Sequence, residues 1–89
     1  MTAFSICLSF RSGRGHCYVT VLNSSIPIDK FEKTSCHEYN ADSGEYDILC
    51  QGVSPAGGTT IDVQQDGVSI GKRTISDEGY FTRRIRIKL

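Results

Sequence analysis

The chain has 89 residues, ten basic and ten acidic side chains, zero formal net charge and 38% hydrophobic residues. This length implies one domain, residues 1–89, with a thin core, because so small a domain buries only about 60% of its unfolded surface. Zero net charge removes the electrostatic footprint of a nucleic-acid binder, and 22% charged residues with aliphatics spread along the chain exclude a disordered composition.

No apolar run approaches the roughly 20 residues of a transmembrane helix, so no membrane insertion is expected. The start, MTAFSICLSFRSG, lacks a basic n-region and a continuous apolar stretch, so it is not a signal peptide. As written the chain reads as cytoplasmic; a mature secreted chain with an added Met1 would read the same way, and the compartment stays open.

Ala3 to Arg11 alternates with period two. Phe4, Ile6, Leu8 and Phe10 share one face; Ser5, Cys7, Ser9 and Arg11 share the other, which predicts a half-buried strand. Ser12-Gly13-Arg14-Gly15 reads as a turn and His16 to Leu22 as the return strand, giving an expected hairpin. Asn23-Ser24-Ser25 breaks the pattern, and Pro27 holds Ile26 extended. From Ile28 to Tyr39 only Phe31 is strongly apolar in DKFEKTSCHEY, which reads as an edge strand or an irregular connection, with a short helix at IDKFEK as the alternative. Lysines there suit an edge, where they discourage pairing with other molecules.

Glu45 to Val53 predicts a strand with Tyr46, Ile48 and Cys50 on one face. A Pro/Gly loop over Ser54–Gly58 leads to Thr59–Gln65, with Ile61 and Val63 inward. Asp66-Gly67 is a type I′ hairpin signal joining it to Val68–Ile75. The final strand places Phe81, Ile85, Ile87 and Leu89 on one face and Tyr80, Thr82, Arg84, Arg86 and Lys88 on the other. The expected fold is all-β: an antiparallel sandwich of six or seven strands with immunoglobulin-like architecture. Its expected core is Ile6, Leu8, Val19, Val21, Ile48, Ile61, Val63, Ile85 and Ile87.

Two resemblances are carried by particular residues. Asp42-Ser43-Gly44-Glu45-Tyr46, followed by Cys50, resembles the tyrosine-corner motif of immunoglobulin domains. The cysteine falls four residues after the tyrosine instead of two, and the chain has no tryptophan. Gly57, Gly58, Asp66, Gly67, Thr74, Asp77, Gly79 and Phe81, within Gly52 to Leu89, are similar to the repeating phrase of bacterial immunoglobulin-like and carboxypeptidase-regulatory-like modules. That resemblance implies an accessory or adhesive β-sandwich without catalysis.

No catalytic constellation or cofactor motif stands out, so no enzyme activity and no cofactor are expected. Cys17 and Cys50 share faces with Val19, Val21 and Ile48, as small hydrophobes do; in an oxidising compartment they are the first choice for a disulfide, and in a reducing one all four cysteines are thiols. Cys17, Cys36, His37 and Cys50 form the alternative metal set, although adjacent strand residues point to opposite faces. Arg83, Arg84, Arg86 and Lys88, with Lys30 and Lys33, are the candidate binding residues. The expected role is a binding or structural module acting on a protein partner or on itself. Edge-strand pairing along Ile28–Tyr39 is the expected route, with the Thr34 N–H among the free donors; a small metal- or ligand-binding domain is the second reading.

Overall fold

Eight strands account for the alternating segments in the computed structural model, which describes Met1–Leu89: β1 (Thr2–Phe10), β2 (Arg14–Val21), β3 (Asp29–Lys33), β4 (Ser35–Ala41), β5 (Glu45–Ser54), β6 (Thr59–Gln65), β7 (Val68–Ile75) and β8 (Gly79–Lys88). They form two four-stranded sheets, in the order β4-β1-β6-β7 and β3-β2-β5-β8. Every pairing is antiparallel. The all-β sandwich expected from the sequence is therefore the observed fold, with eight strands instead of six or seven.

The core is the shared inner phase of these strands. Seventeen buried hydrophobic residues form one cluster, and all nine expected core residues belong to it. Phe4, Ile6, Leu8 and Phe10 from β1 meet Cys17, Val19 and Val21 from β2 within that cluster, together with Ile48, Ile61, Val63, Ile85 and Ile87 from β5, β6 and β8.

The first turn corrects the hairpin expectation. β1 pairs with β4 and β6, whereas β2 pairs with β3 and β5, so Arg11–Gly13 carries the chain from one sheet to the other. An apolar face on each strand fits a hairpin or an arch equally well; the packing at the bend selects the arch. The Phe10 ring lies over Gly15, where an added Cβ would collide with the ring carbons. Gly13 has φ +87° and its N–H donates to the Phe10 carbonyl at 2.8 Å.

Ile28–Tyr39 is neither helix nor irregular connection but two short strands, β3 and β4, that cross between the sheets at Thr34. The inner phase of β4 is Ser35, His37, Tyr39 and Ala41, so polar side chains conceal its alternation. Thr34 ties this crossing to the first one. Its Oγ1 accepts from the Phe10 N–H at 2.9 Å and donates to the Phe10 carbonyl, and its N–H donates to the Gly13 carbonyl at 3.0 Å. The Thr34 N–H is thus satisfied internally, contrary to its expected role as a free edge donor.

The β6–β7 hairpin turns as expected, with Asp66 at φ +53° and Gly67 at φ +76°, both positive as a type I′ turn requires. The β7–β8 crossing returns the chain to the second sheet, so β3 and β4 close one side of the sandwich and β7 and β8 the other.

Candidate functional site

The side closed by β3 and β4 gathers most of the chain's unusual chemistry. Asp29 and Phe31 face His37 and Tyr39 across the gap between the sheets. The Asp29 Oδ2 accepts from the Tyr39 hydroxyl at 2.6 Å and pairs with His37 Nδ1 at 2.7 Å, while its Oδ1 accepts from the Lys30 N–H at 2.8 Å. The His37 ring stacks on buried Phe31 with centroids 3.9 Å apart. Partial burial pushes the Asp29 pKa upward, but the hydrogen bonds from Tyr39, His37 and the Lys30 N–H outweigh it and hold the carboxyl below its ordinary 3.8. Burial, reinforced by the Asp29 charge, raises the pKa of Tyr39, keeping it a neutral donor.

A lowered carboxyl pKa favours the charged form in the folded state. Its stabilisation is complete above the unfolded pKa, near 3.8, and is lost as pH falls through the lower folded value. Asp47, held down by its bond to Arg86, and Asp62, where hydrogen bonds from Gln64 and Ser69 overcome desolvation, act in the same direction. Urea midpoints should therefore drop between about pH 5 and pH 3, and Asp29→Asn should show a shallower drop than wild type. Parallel pH profiles for the two proteins would contradict the assigned role of Asp29.

On the outer face of the first sheet, Cys7 of β1 and Cys36 of β4 stand opposite each other in register and form a disulfide, with Cα atoms 4.0 Å apart. This corrects the expected Cys17–Cys50 bridge. Cys17 and Cys50 are buried free thiols of one sheet. Cys17 pairs with Gly52 and Cys50 with Val19, which makes the two cysteines diagonal neighbours, about 7–8 Å apart and at the limit of disulfide reach. Interaction with Cys17, and then burial, raises the Cys50 pKa, so its reactive thiolate is disfavoured.

The alternative metal set is also dispersed. Cys36 is consumed by the disulfide on the outer face, Cys17 and Cys50 lie in the core, and His37 is engaged by Asp29. No three His, Cys, Asp or Glu side chains converge anywhere in the structure as a metal site would require.

The six candidate basic residues divide between opposite edges of the second sheet. Arg83, Arg84, Arg86 and Lys88 lie on β8; Lys30 and Lys33 lie on β3. Arg86 donates to both Asp47 carboxylate oxygens, at 3.0 and 3.1 Å, and Lys88 stands opposite Glu45. Arg83 occupies the inner phase at the sheet margin, where its guanidinium donates to the Thr82 carbonyl. Lys30 pairs with Glu32 at 3.4 Å and lies 5.6 Å from the centroid of the Tyr18 ring. Lys33 has no acidic partner. A cleft of about 270 Å³ beside β3 brings Lys30 and Lys33 together with Arg14, Ser35 and His37.

The backbone at this side is open as well. The 4.0 Å Cα separation of Cys7 and Cys36 is that of a non-hydrogen-bonded antiparallel pair. Alternation from that pair turns the N–H and C=O groups of Cys36, Glu38 and Asn40 away from β1, toward the open side of β4. Sequence reasoning locates this edge but not the disulfide beside it. The available signal is that Cys7 sits on the outer phase of a well-patterned strand, an unusual place for a cysteine kept as a small hydrophobe.

At the start of β5 the Tyr46 hydroxyl donates to the Asp42 carbonyl at 2.8 Å. Fold and site together describe a small all-β sandwich with one cross-strand disulfide and an open, polar edge. Comparison with family models, with curated proteins and with solved structures finds no match.

Proposed function

We propose that the protein is a non-enzymatic binding module that takes an extended segment of a partner, or of a second copy, as an added strand along β4. The observation that carries this reading is the difference among the four sheet edges. β3 is five residues long, bears Lys30 and Lys33, and shifts register against β2 between Arg14 and Cys17. β7 bears Lys72 and Arg73 and shifts register at Val63 and Gln64. β8 bears Arg83, Arg84, Arg86 and Lys88. Charges, bulges and shortness are the usual devices that block edge-to-edge pairing. β4 is neither short nor bulged and carries a single carboxylate, Glu38: seven residues in continuous register, with no lysine, arginine or proline. An added strand would satisfy the outward groups of Cys36, Glu38 and Asn40.

The tyrosine corner and the glycine-punctuated second half support an immunoglobulin-like or carboxypeptidase-regulatory-like kind of module. The Cys7–Cys36 disulfide supports an oxidising compartment as its place of action. No membrane-crossing helix enters this reading, since the structure has no helix long and apolar enough to span a membrane.

Glu38→Pro tests the proposal. The Glu38 N–H points outward, so proline removes a free donor while leaving the bonds to β1 intact, a setting in which an edge strand tolerates it. Peptides selected from a displayed random library on the wild-type protein should bind Glu38→Pro at least tenfold more weakly, with the urea midpoint nearly unchanged. Selected peptides that bind the folded variant with wild-type affinity would place the interface elsewhere, with the basic face of Arg84, Arg86 and Lys88 the next surface to test.

A further inference from the structure

We infer that the cleft at the β2–β3 margin is a binding site for a phosphate group, held by Arg14, Lys33, Ser35 and His37. The inference does not rest on strand addition, which uses the outward backbone groups of β4, whereas this cleft uses the Ser35 and His37 side chains of that strand.

Arg14 and Lys33 stand directly opposite each other in the β2–β3 ladder. Two like charges in that position destabilise a sheet. Neither belongs to any ion pair of the protein, whose four salt bridges use Lys30, His37 and Arg86 as the cations. Glu32, the one carboxylate lining the cleft, is paired with Lys30, which lines it too. Both unpaired cations line the same cleft of about 270 Å³, ample for a phosphate and part of the molecule carrying it.

The remaining donors are positioned for the same ligand. Ser35 adds a hydroxyl, which in the free protein rests on the Lys33 carbonyl at 3.0 Å. Asp29 accepts from His37 Nδ1–H, and Phe31 stacks beneath the ring, so the imidazole is held on two sides with Nε2 as the acceptor of the neutral ring. Planar guanidinium, point-charge ammonium and hydroxyl supply two positive charges and several hydrogen-bond donors around one concavity, and the imidazole donates to a bound anion only as the imidazolium. A phosphate monoester dianion matches both the charge and the number of acceptors; a carboxylate offers one charge and two oxygens.

The test uses inorganic phosphate, a blocked phosphoserine peptide and acetate, each titrated into the isotopically labelled protein at constant ionic strength. Phosphate should produce saturable amide shifts confined to Arg14, Lys33, Ser35, His37 and their neighbours. Arg14→Ala and Lys33→Gln should each weaken binding at least tenfold, while Lys88→Gln, on β8 at the far edge of the second sheet, should not. Tighter binding of the phosphoserine peptide than of phosphate would assign the site to a phosphorylated chain, and equal binding to the phosphate group alone. Acetate binding as tightly as phosphate, or non-saturating shifts spread over all basic residues, would overturn the inference. Thermal melts give a second readout. Lys33→Gln should melt higher than wild type without phosphate, because the like-charge opposition is gone, and should lose the phosphate-induced rise. A lower melting temperature for Lys33→Gln in phosphate-free buffer would remove the premise.

Discussion

Ile85→Ala is expected to cost about 2–5 kcal/mol, the range for truncating a buried isoleucine. Ile85 is 1% exposed and stands opposite Ile48 in the β5–β8 ladder. It also reaches across the sandwich to Gly71 of β7, where an added Cβ would lie 2.6 Å from the Ile85 Cγ2. Glycine leaves that space to the isoleucine, so truncation opens a void that no side chain at position 71 can fill. A domain of this size has a total stability of about 4–13 kcal/mol, so one such loss is a large fraction of it. Urea denaturation followed by fluorescence or circular dichroism gives the difference. An unchanged midpoint would refute the inward phase of Ile85 and with it the packing of β8 against β7.

Reduction of Cys7–Cys36 should cost a comparable amount. The bridge closes a loop with a sequence separation of 29, for which chain-entropy arguments give about 3–4 kcal/mol. The loop contains the first crossing, β2, β3 and the Thr34 crossing, so cutting it frees the whole β3–β4 side in the unfolded ensemble. Denaturation with and without a phosphine reductant, and of a Cys7→Ser/Cys36→Ser double variant, should show the same downward shift in midpoint. Cys17 and Cys50 should resist alkylation in the folded protein and react after unfolding, because both are buried. Two reactive thiols in the denatured, unreduced chain agree with a single bridge; four would contradict it.

Much of this fold is written as alternation. β1, β6 and β8 carry clear two-residue periods, and Asp66-Gly67 specifies its own hairpin through two positive φ angles. Alternation shows which face of a strand is inward but not which sheet the strand joins, and for that reason Ser12–Gly15 reads as a hairpin. The deciding contact, the Phe10 ring over Gly15, is tertiary. The β3–β4 side is obscure for a related reason. Its inner phase is Asp29, Phe31 and Lys33 on one strand and Ser35, His37 and Tyr39 on the other, mostly polar groups, of which Asp29, His37 and Tyr39 satisfy one another instead of signalling burial. The disulfide is hidden with them, because the partner of Cys7 is fixed only by the β1–β4 register. Lys30 and Lys33 are legible as candidates from the sequence; their assembly with Arg14, Ser35 and His37 becomes visible only with the crossing at Thr34.

Amide hydrogen exchange along β4 is the most direct measurement of the central claim, that this edge is free and receives a strand. In the free protein the amides of Cys36, Glu38 and Asn40 should exchange fast and those of His37 and Tyr39, bonded to β1, slowly, an alternation with a two-residue period. With a library-selected peptide bound, protection should appear at Glu38 and Asn40 and erase the alternation, while β8 amides stay unchanged. Protection that instead builds along β8, or bound peptide that leaves Glu38 and Asn40 exchanging at their free rates, would contradict it.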